Sequence, residues 1–272
     1  MTELGRTTSP APVLPHDSEP TDRPPALRLS GLGKRFGEKL AVDGLDLEVP
    51  RGSFYGFVGP NGAGKTTTLS MATGLLRPDH GRAEVGGVDV WARPLQAKRS
   101  MGVLADGVML FNRLSGEQLV TYAGLLRGMD RETVAERTAD LLRVLGLIEA
   151  AGQLVADYSA GMTKKIALAS AMIHAPELLV LDEPFEAVDP VSARTIRGLL
   201  DSYVASGGTV ILSSHVMDLV QRMCSHVGII AEGRLLVSGT VEEVRDGGDL
   251  ESRFVELIGL EGGHEELSWL RL

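Results

Sequence analysis

The chain has 272 residues and a hydrophobic fraction of 43%, enough for a sizeable buried core, and its single cysteine, Cys224, excludes an internal disulfide framework. A formal net charge of -9 weighs against a broad nucleic-acid surface, so nucleic acid is not expected as a partner. Apolar residues come in short runs broken by charge or glycine, none near the ~20 that cross a bilayer, which excludes a membrane-spanning segment.

Residues 1–26 are rich in Pro, Thr, Ser and acid, as in Ser18-Glu19-Pro20-Thr21-Asp22, and lack the apolar centre of a signal peptide. They read as a disordered tail on a cytosolic protein. Leu27 to Glu48 alternates apolar and polar residues with glycine punctuation at Gly37 and Gly44, predicting a small antiparallel sheet. Phe54-Tyr55-Gly56-Phe57-Val58 reads as a buried strand, followed by a glycine-rich stretch and a helix over Thr66 to Leu76. From Arg113 to Leu154 the period changes to 3.6, with Leu119, Tyr122, Ala123, Leu126, Val134, Leu141, Leu142 and Leu145 as apolar faces, so an all-helical insert is expected at about 107–160. A helix from Ala160 to His174, a strand at Leu178–Leu181, a helix at Ser192–Ala205 and a strand at Thr209–Leu212 restore α/β alternation. A hairpin around Glu232-Gly233 closes the core near residue 240, and 241–272 should hold a helix or two.

Gly59-Pro60-Asn61-Gly62-Ala63-Gly64-Lys65-Thr66 fits the phosphate-binding pattern G-x-x-x-x-G-K-[ST] between a strand and a helix. Its glycines let backbone N–H groups approach phosphate oxygens, Lys65 reaches toward the β and γ phosphates, and the Thr66 hydroxyl suits Mg²⁺. Leu178 to Leu181 then delivers two adjacent carboxylates, Asp182 and Glu183, to a strand tip. Asp182 suits a hydrated Mg²⁺ and Glu183 a general base for water; the alternative is a solvated acidic turn.

Tyr158-Ser159-Ala160-Gly161-Met162, just upstream of that strand, resembles the LSGGQ signature of the nucleotide-binding subunits of ATP-binding cassette (ABC) transporters, and the likeness covers Leu27 to Gly239. The resemblance implies an α/β fold: a P-loop NTPase (RecA-like) core with an antiparallel β subdomain and an inserted α-helical subdomain. It also implies ATP and Mg²⁺ as ligands. By its pattern Gly59, Asn61, Gly62, Gly64, Lys65, Thr66 and Thr67 contact the nucleotide, and Asp106 takes the place of a Mg²⁺-contacting glutamine. Ser159 and Gly161 face the γ phosphate of a second subunit, Asp189 lies in the loop along the dimer seam, and His215 is the switch histidine beside Glu183. Phe36 is placed as the adenine platform. For several of these a plainer role competes: core packing for Phe36, helix caps for Ser159 and Asp189, an ordinary polar strand end for His215.

Three departures stand out: Asp106 for glutamine, Ala160 for the first signature glycine, and Phe185-Glu186 for small polar residues. The first two raise a degenerate, slow ATPase as an alternative. The resemblance further implies a second ABC ATPase subunit and integral-membrane permease subunits as partners, with the chain on the inner face of the cell membrane. Phe111 to Gln118 is the candidate docking segment, against an ordinary helix start with Ser115 as cap. Asp157-Tyr158-Ser159, Lys164-Lys165 and Phe185 resemble bacterial exporter-type ATPases with separately encoded permeases. A soluble ABC ATPase that assembles or remodels other molecules is the other functional class.

Overall fold

The computed structural model describes residues 23–107 and 109–259; most of the expected N-terminal tail and the last part of the C-terminal segment lie outside the described residues. Two sheets organise the chain. The smaller is antiparallel: β1 (Leu27–Phe36) pairs with β2 (Lys39–Val49) and with β4 (His80–Val85), which pairs with β5 (Val88–Asp89). The larger runs β10 (Arg234–Thr240), β9 (His226–Ala231), β3 (Phe54–Val58), β8 (Thr209–Ser214), β7 (Leu178–Leu181), β6 (Met101–Leu104). Its pairings are parallel except for the β9–β10 edge hairpin.

Strands β3 and β7 are buried at every residue, which explains why they read as continuous apolar runs rather than alternations. Their side chains still alternate between two cores. Tyr55, Phe57, Leu178, Val180 and Ile211 face the small sheet and α1 (Lys65–Ala72). Phe54, Val58, Leu179, Leu181, Val210 and Leu212 face the opposite side, packed with α5 (Ala160–Met172), α6 (Pro190–Ala205) and α7 (Met217–Met223). At ~1.5–3 kcal/mol for each large apolar side chain buried, these two clusters dominate the stability of the core. A short α2 (Pro94–Arg99) leads into β6, and α8 (Val241–Arg245) and α9 (Leu250–Leu257) pack on the second cluster through Val241, Val244 and Leu250.

Between β6 and β7 the chain makes α3 (Gly116–Leu126) and α4 (Arg131–Val144). Ser115 opens α3 with a reciprocal capping box to Gln118, and Asp130 caps α4 through Thr133 N–H. Leu119, Val120, Leu142, Leu145 and Leu147 gather with Ile166, Ala169 and Ile173 of α5 into a third cluster. Helix α5 therefore belongs to two cores at once, the helical unit and the α/β body.

Candidate functional site

β3 ends at Val58, and the following loop turns over the sheet edge onto α1. Gly59 lies so close to β9 that a methyl on it would sit 2.2 Å from the Ile230 carbonyl oxygen. Gly64 has φ of 107° and would place a methyl 2.5 Å from the Ala41 carbonyl oxygen, so only glycine fits there. As the N-cap residue it has no side chain to offer, which leaves the first N–H groups of α1, those of Lys65, Thr66 and Thr67, without a side-chain cap. Uncapped N–H groups at a helix start, with the helix dipole behind them, attract oxyanions.

This loop borders a cavity of about 440 Å³ lined by Phe36, Lys39, Asn61, Gly62, Gly64, Lys65, Thr66, Thr67, Asp106, Glu183, Glu186 and His215. Expected site residues from five separate stretches of sequence thus meet on one surface: Phe36, Asn61 to Thr67, Asp106, Glu183 and His215. Phe36 is half exposed and not part of the buried core. Lys34 holds its ammonium 5.7 Å from the Phe36 ring.

Lys65 is buried, donates to the carbonyl oxygens of Gly59 (2.8 Å) and Pro60 (3.3 Å), and lies 3.8 Å from Glu183 Oε1. Burial lowers its pKa, while Glu183, Asp182 and Glu186 oppose that shift. Glu183 Oε1 also lies 3.2 Å from His215 Nδ1. Asp182 is buried beside it and accepts a hydrogen bond from Ser213 Oγ, whose lone pair in turn receives the Glu183 N–H at 2.8 Å. Glu183 itself has φ of +44°, a left-handed backbone that costs a non-glycine residue of order 1–3 kcal/mol and persists only when its surroundings fix it. Ser213 is one such fixture. Sequence reading named Ser213 only as part of the run before His215; nothing short of the β7–β8 pairing shows that its hydroxyl spans both acids.

Thr66 and Asp106 line the cavity and Asp182 lies buried just beyond the end of β7; all three offer oxygen donors, the kind that hard cations prefer. Among the described residues no three His, Cys, Asp or Glu side chains cluster to hold a metal unaided. Such a sparse set fits Mg²⁺, which keeps waters and binds jointly with substrate phosphates.

Ser159, Gly161 and Asp189 are absent from the cavity wall. Ser159 caps α5, its Oγ accepting from Met162 N–H at 3.3 Å, and Asp189 caps α6, accepting from Val191 and Ser192 N–H at 3.0 and 2.9 Å. Those bonds hold the Asp189 carboxyl below its usual pKa. Ala160 is exposed, so its methyl meets no obstacle within the chain. Phe185 packs against the second core cluster and Glu186 reaches the cavity wall, which gives both unusual linker residues a place. Lys39 does not stand out in the sequence, and Glu186 and Lys164 do so only within the unusual linker and the Lys164-Lys165 pair, with no expected role at this site. Lys39 belongs to no motif, and the role of Lys164, which donates to the Glu183 carbonyl oxygen at 3.0 Å, depends on how α5 lies against β7.

The ABC transporter family profile matches residues 42–186, more than half of the chain. The daunorubicin/doxorubicin resistance ATP-binding protein DrrA of Streptomyces peucetius is 37% identical over 81% of this chain and 67% of its own length. The linearmycin resistance ATP-binding protein LnrL of Bacillus subtilis is 34% identical over 82% of this chain and 72% of its own. Among solved structures, an ATP-binding subunit of an ABC transporter superposes with a TM-score of 0.80 at 26% identity, over 86% of this chain and 99% of the other. A dimeric, ADP- and phosphate-bound ATP-binding cassette shares the fold with a TM-score of 0.72 at 20% identity, over 79% and 98%. A phosphate-binding loop, a strand-tip acid pair and a facing histidine around one cavity agree with those matches: the chain belongs to the ABC transporter family, as its ATP-binding and ATP-hydrolysing subunit.

Proposed function

We propose that Glu183 is the general base of this ATPase, with His215 holding its carboxylate toward the attacking water. The contact between Glu183 Oε1 and His215 Nδ1, beside Lys65 at the mouth of the phosphate loop, carries this reading. A carboxylate shared by two basic groups is held in one orientation, and a positioned base contributes roughly 10²–10⁴ in rate. Lys65, Thr66, Thr67 and the N–H groups of Gly62 and Gly64 hold the phosphates, Asn61 flanks them, and Phe36 stacks on the base. Thr66, Asp182 and Asp106 would hold Mg²⁺, which when bound neutralises phosphate charge.

Ser159, Gly161 and Asp189 sit on helix starts away from the chain's own cavity, and this placement supports a trans arrangement in which a second cassette completes each site. Nucleotide then bridges two subunits, closing them when bound and releasing them after hydrolysis. Among the described residues no helix is long and apolar enough to cross a membrane. Relatives named as ATP-binding proteins of resistance and transport systems support separate permease subunits as the spanning path, with this chain peripheral on the membrane's inner face. The permease docking surface includes Met109, Phe111 and Tyr122, all exposed, the two rings edge to face at 5.5 Å. Ser115 and Gln118 of the expected docking segment are taken up by the capping box instead. Relatives named for daunorubicin, linearmycin and bacitracin resistance or transport support an exporter. The domain division follows the same lines: an ATPase unit over 27–240 carrying the helical insert at about 107–160, and a helical segment after 241.

Glu183→Gln tests the reading. It should bind ATP, lose turnover at least 100-fold, and accumulate as an ATP-bound dimer in size-exclusion chromatography; near-normal hydrolysis by this variant would remove Glu183 from the role.

A further inference from the structure

We propose that Lys164 is a positioning residue for ATP hydrolysis: one lysine that ties the signature helix to the backbone of the catalytic carboxylate. The proposal rests on the assignment of Glu183 as base. Lys164 is the fifth residue of α5, whose first turn starts at Ser159 and holds Gly161. Its Nζ donates to the Glu183 carbonyl oxygen at 3.0 Å. The Glu183 N–H is held at the other end by Ser213 Oγ at 2.8 Å. A peptide segment with φ of +44° relaxes toward an ordinary conformation unless both ends are held. Ser213 supplies one anchor from β8, and Lys164 supplies the other from a different structural unit, since α5 is shared with the helical cluster. A charged donor on a carbonyl makes a stronger bond than a neutral one, which suits an anchor that must resist strain.

Lys164 lines a cavity of about 290 Å³ together with Asp106, Glu186 and Ala187. A shift at the helix tip, where a partner subunit's nucleotide would bind, reaches this chain's own base through a single side chain.

The test is a set of variants assayed for steady-state ATPase, thermal stability and ATP affinity. Lys164→Met should lower kcat ~10-fold with KM for ATP and Tm nearly unchanged, because misplacing a base by a fraction of an ångström costs rate and not binding. Lys164→Arg, which keeps a charged donor, should recover most of that loss. In a Glu183→Gln background Lys164→Met should change the residual rate less than twofold, since a residue that acts through Glu183 has nothing left to position. Wild-type kcat in Lys164→Met, an equal loss in both backgrounds, or a kcat loss matched by a drop in Tm would each overturn the proposal. If Glu183→Gln alone hydrolyses ATP normally, it is the assignment of the base that has failed.

Discussion

Gly161 and Asp189 pack so closely that a methyl on Gly161 would lie 2.6 Å from Asp189 Oδ2 and 2.7 Å from Ser192 Oγ. The signature turn and the loop that caps α6 are therefore fitted to each other within one chain. Gly161→Ala must push this cap away, at a cost of ~1–3 kcal/mol, and should lower ATPase activity with it. Ala160→Gly, one residue earlier on exposed backbone, meets no such neighbour and should leave stability within ~1 kcal/mol of wild type. Thermal unfolding and ATPase rates of both variants decide; equal effects would show that the packing of Gly161 on Asp189 is unimportant.

Lys65 is buried, 3.8 Å from Glu183 Oε1, and the charges of Asp182 and Glu186 act on it as well. Lys65→Met should weaken ATP binding at least 10-fold, because a buried charge-assisted phosphate contact is lost and three carboxylates are left without the cation that offsets them. Titration with a fluorescent ATP analogue measures this. Unaltered affinity would show that the phosphates lie elsewhere than against Lys65.

The phosphate loop, β7 with its two acids, and the α/β alternation were legible in sequence because each is a local pattern: glycine spacing, an apolar run, a period. Other parts depend on what tertiary contacts bring together. His80–Val85 forms β4 with only Ala83 and Val85 buried, too sparse an apolar signal to announce a strand. Phe36 could be placed in the core or on the surface until its position at the end of β1 was known. Ser213 and Lys164 reach Glu183 from 30 and 19 residues away, through β8 and α5. Spacing alone carries no trace of either bond.

Cys224 lies under β3, buried and with its thiol pKa raised to about 12 by desolvation. Gly56 of β3 makes room for it: a methyl there would lie 2.4 Å from Val220 Cγ1 and 3.2 Å from Cys224 Sγ. Native protein should therefore resist thiol alkylation at pH 8, and the labelling rate should rise only under denaturing conditions. Gly56→Ala should destabilise the fold by ~1–3 kcal/mol through overpacking, with faster alkylation as the accompanying sign. Rapid labelling of native wild-type protein would contradict this burial.

His174 ties the end of α5 to β6, one ring nitrogen bonding the Met101 carbonyl oxygen at 3.0 Å while Nδ1 is buried without a partner. Burial, with Arg127 and Arg137 nearby, lowers its pKa from 6.5 to about 4. Above pH 6.5 the ring is neutral in both folded and unfolded chains, and it adds no pH dependence. Below 6.5 the unfolded chain takes up the proton first, so stability falls as pH drops from 6.5 toward 4, by no more than ~3 kcal/mol. His174→Gln retains a donor for Met101 but removes the titration, so its denaturation free energy should decline less steeply than wild type across that window. Parallel pH profiles for the two proteins would show that the imidazole is protonated as readily in the fold as in the unfolded chain, and that its burial between α5 and β6 has no electrostatic cost.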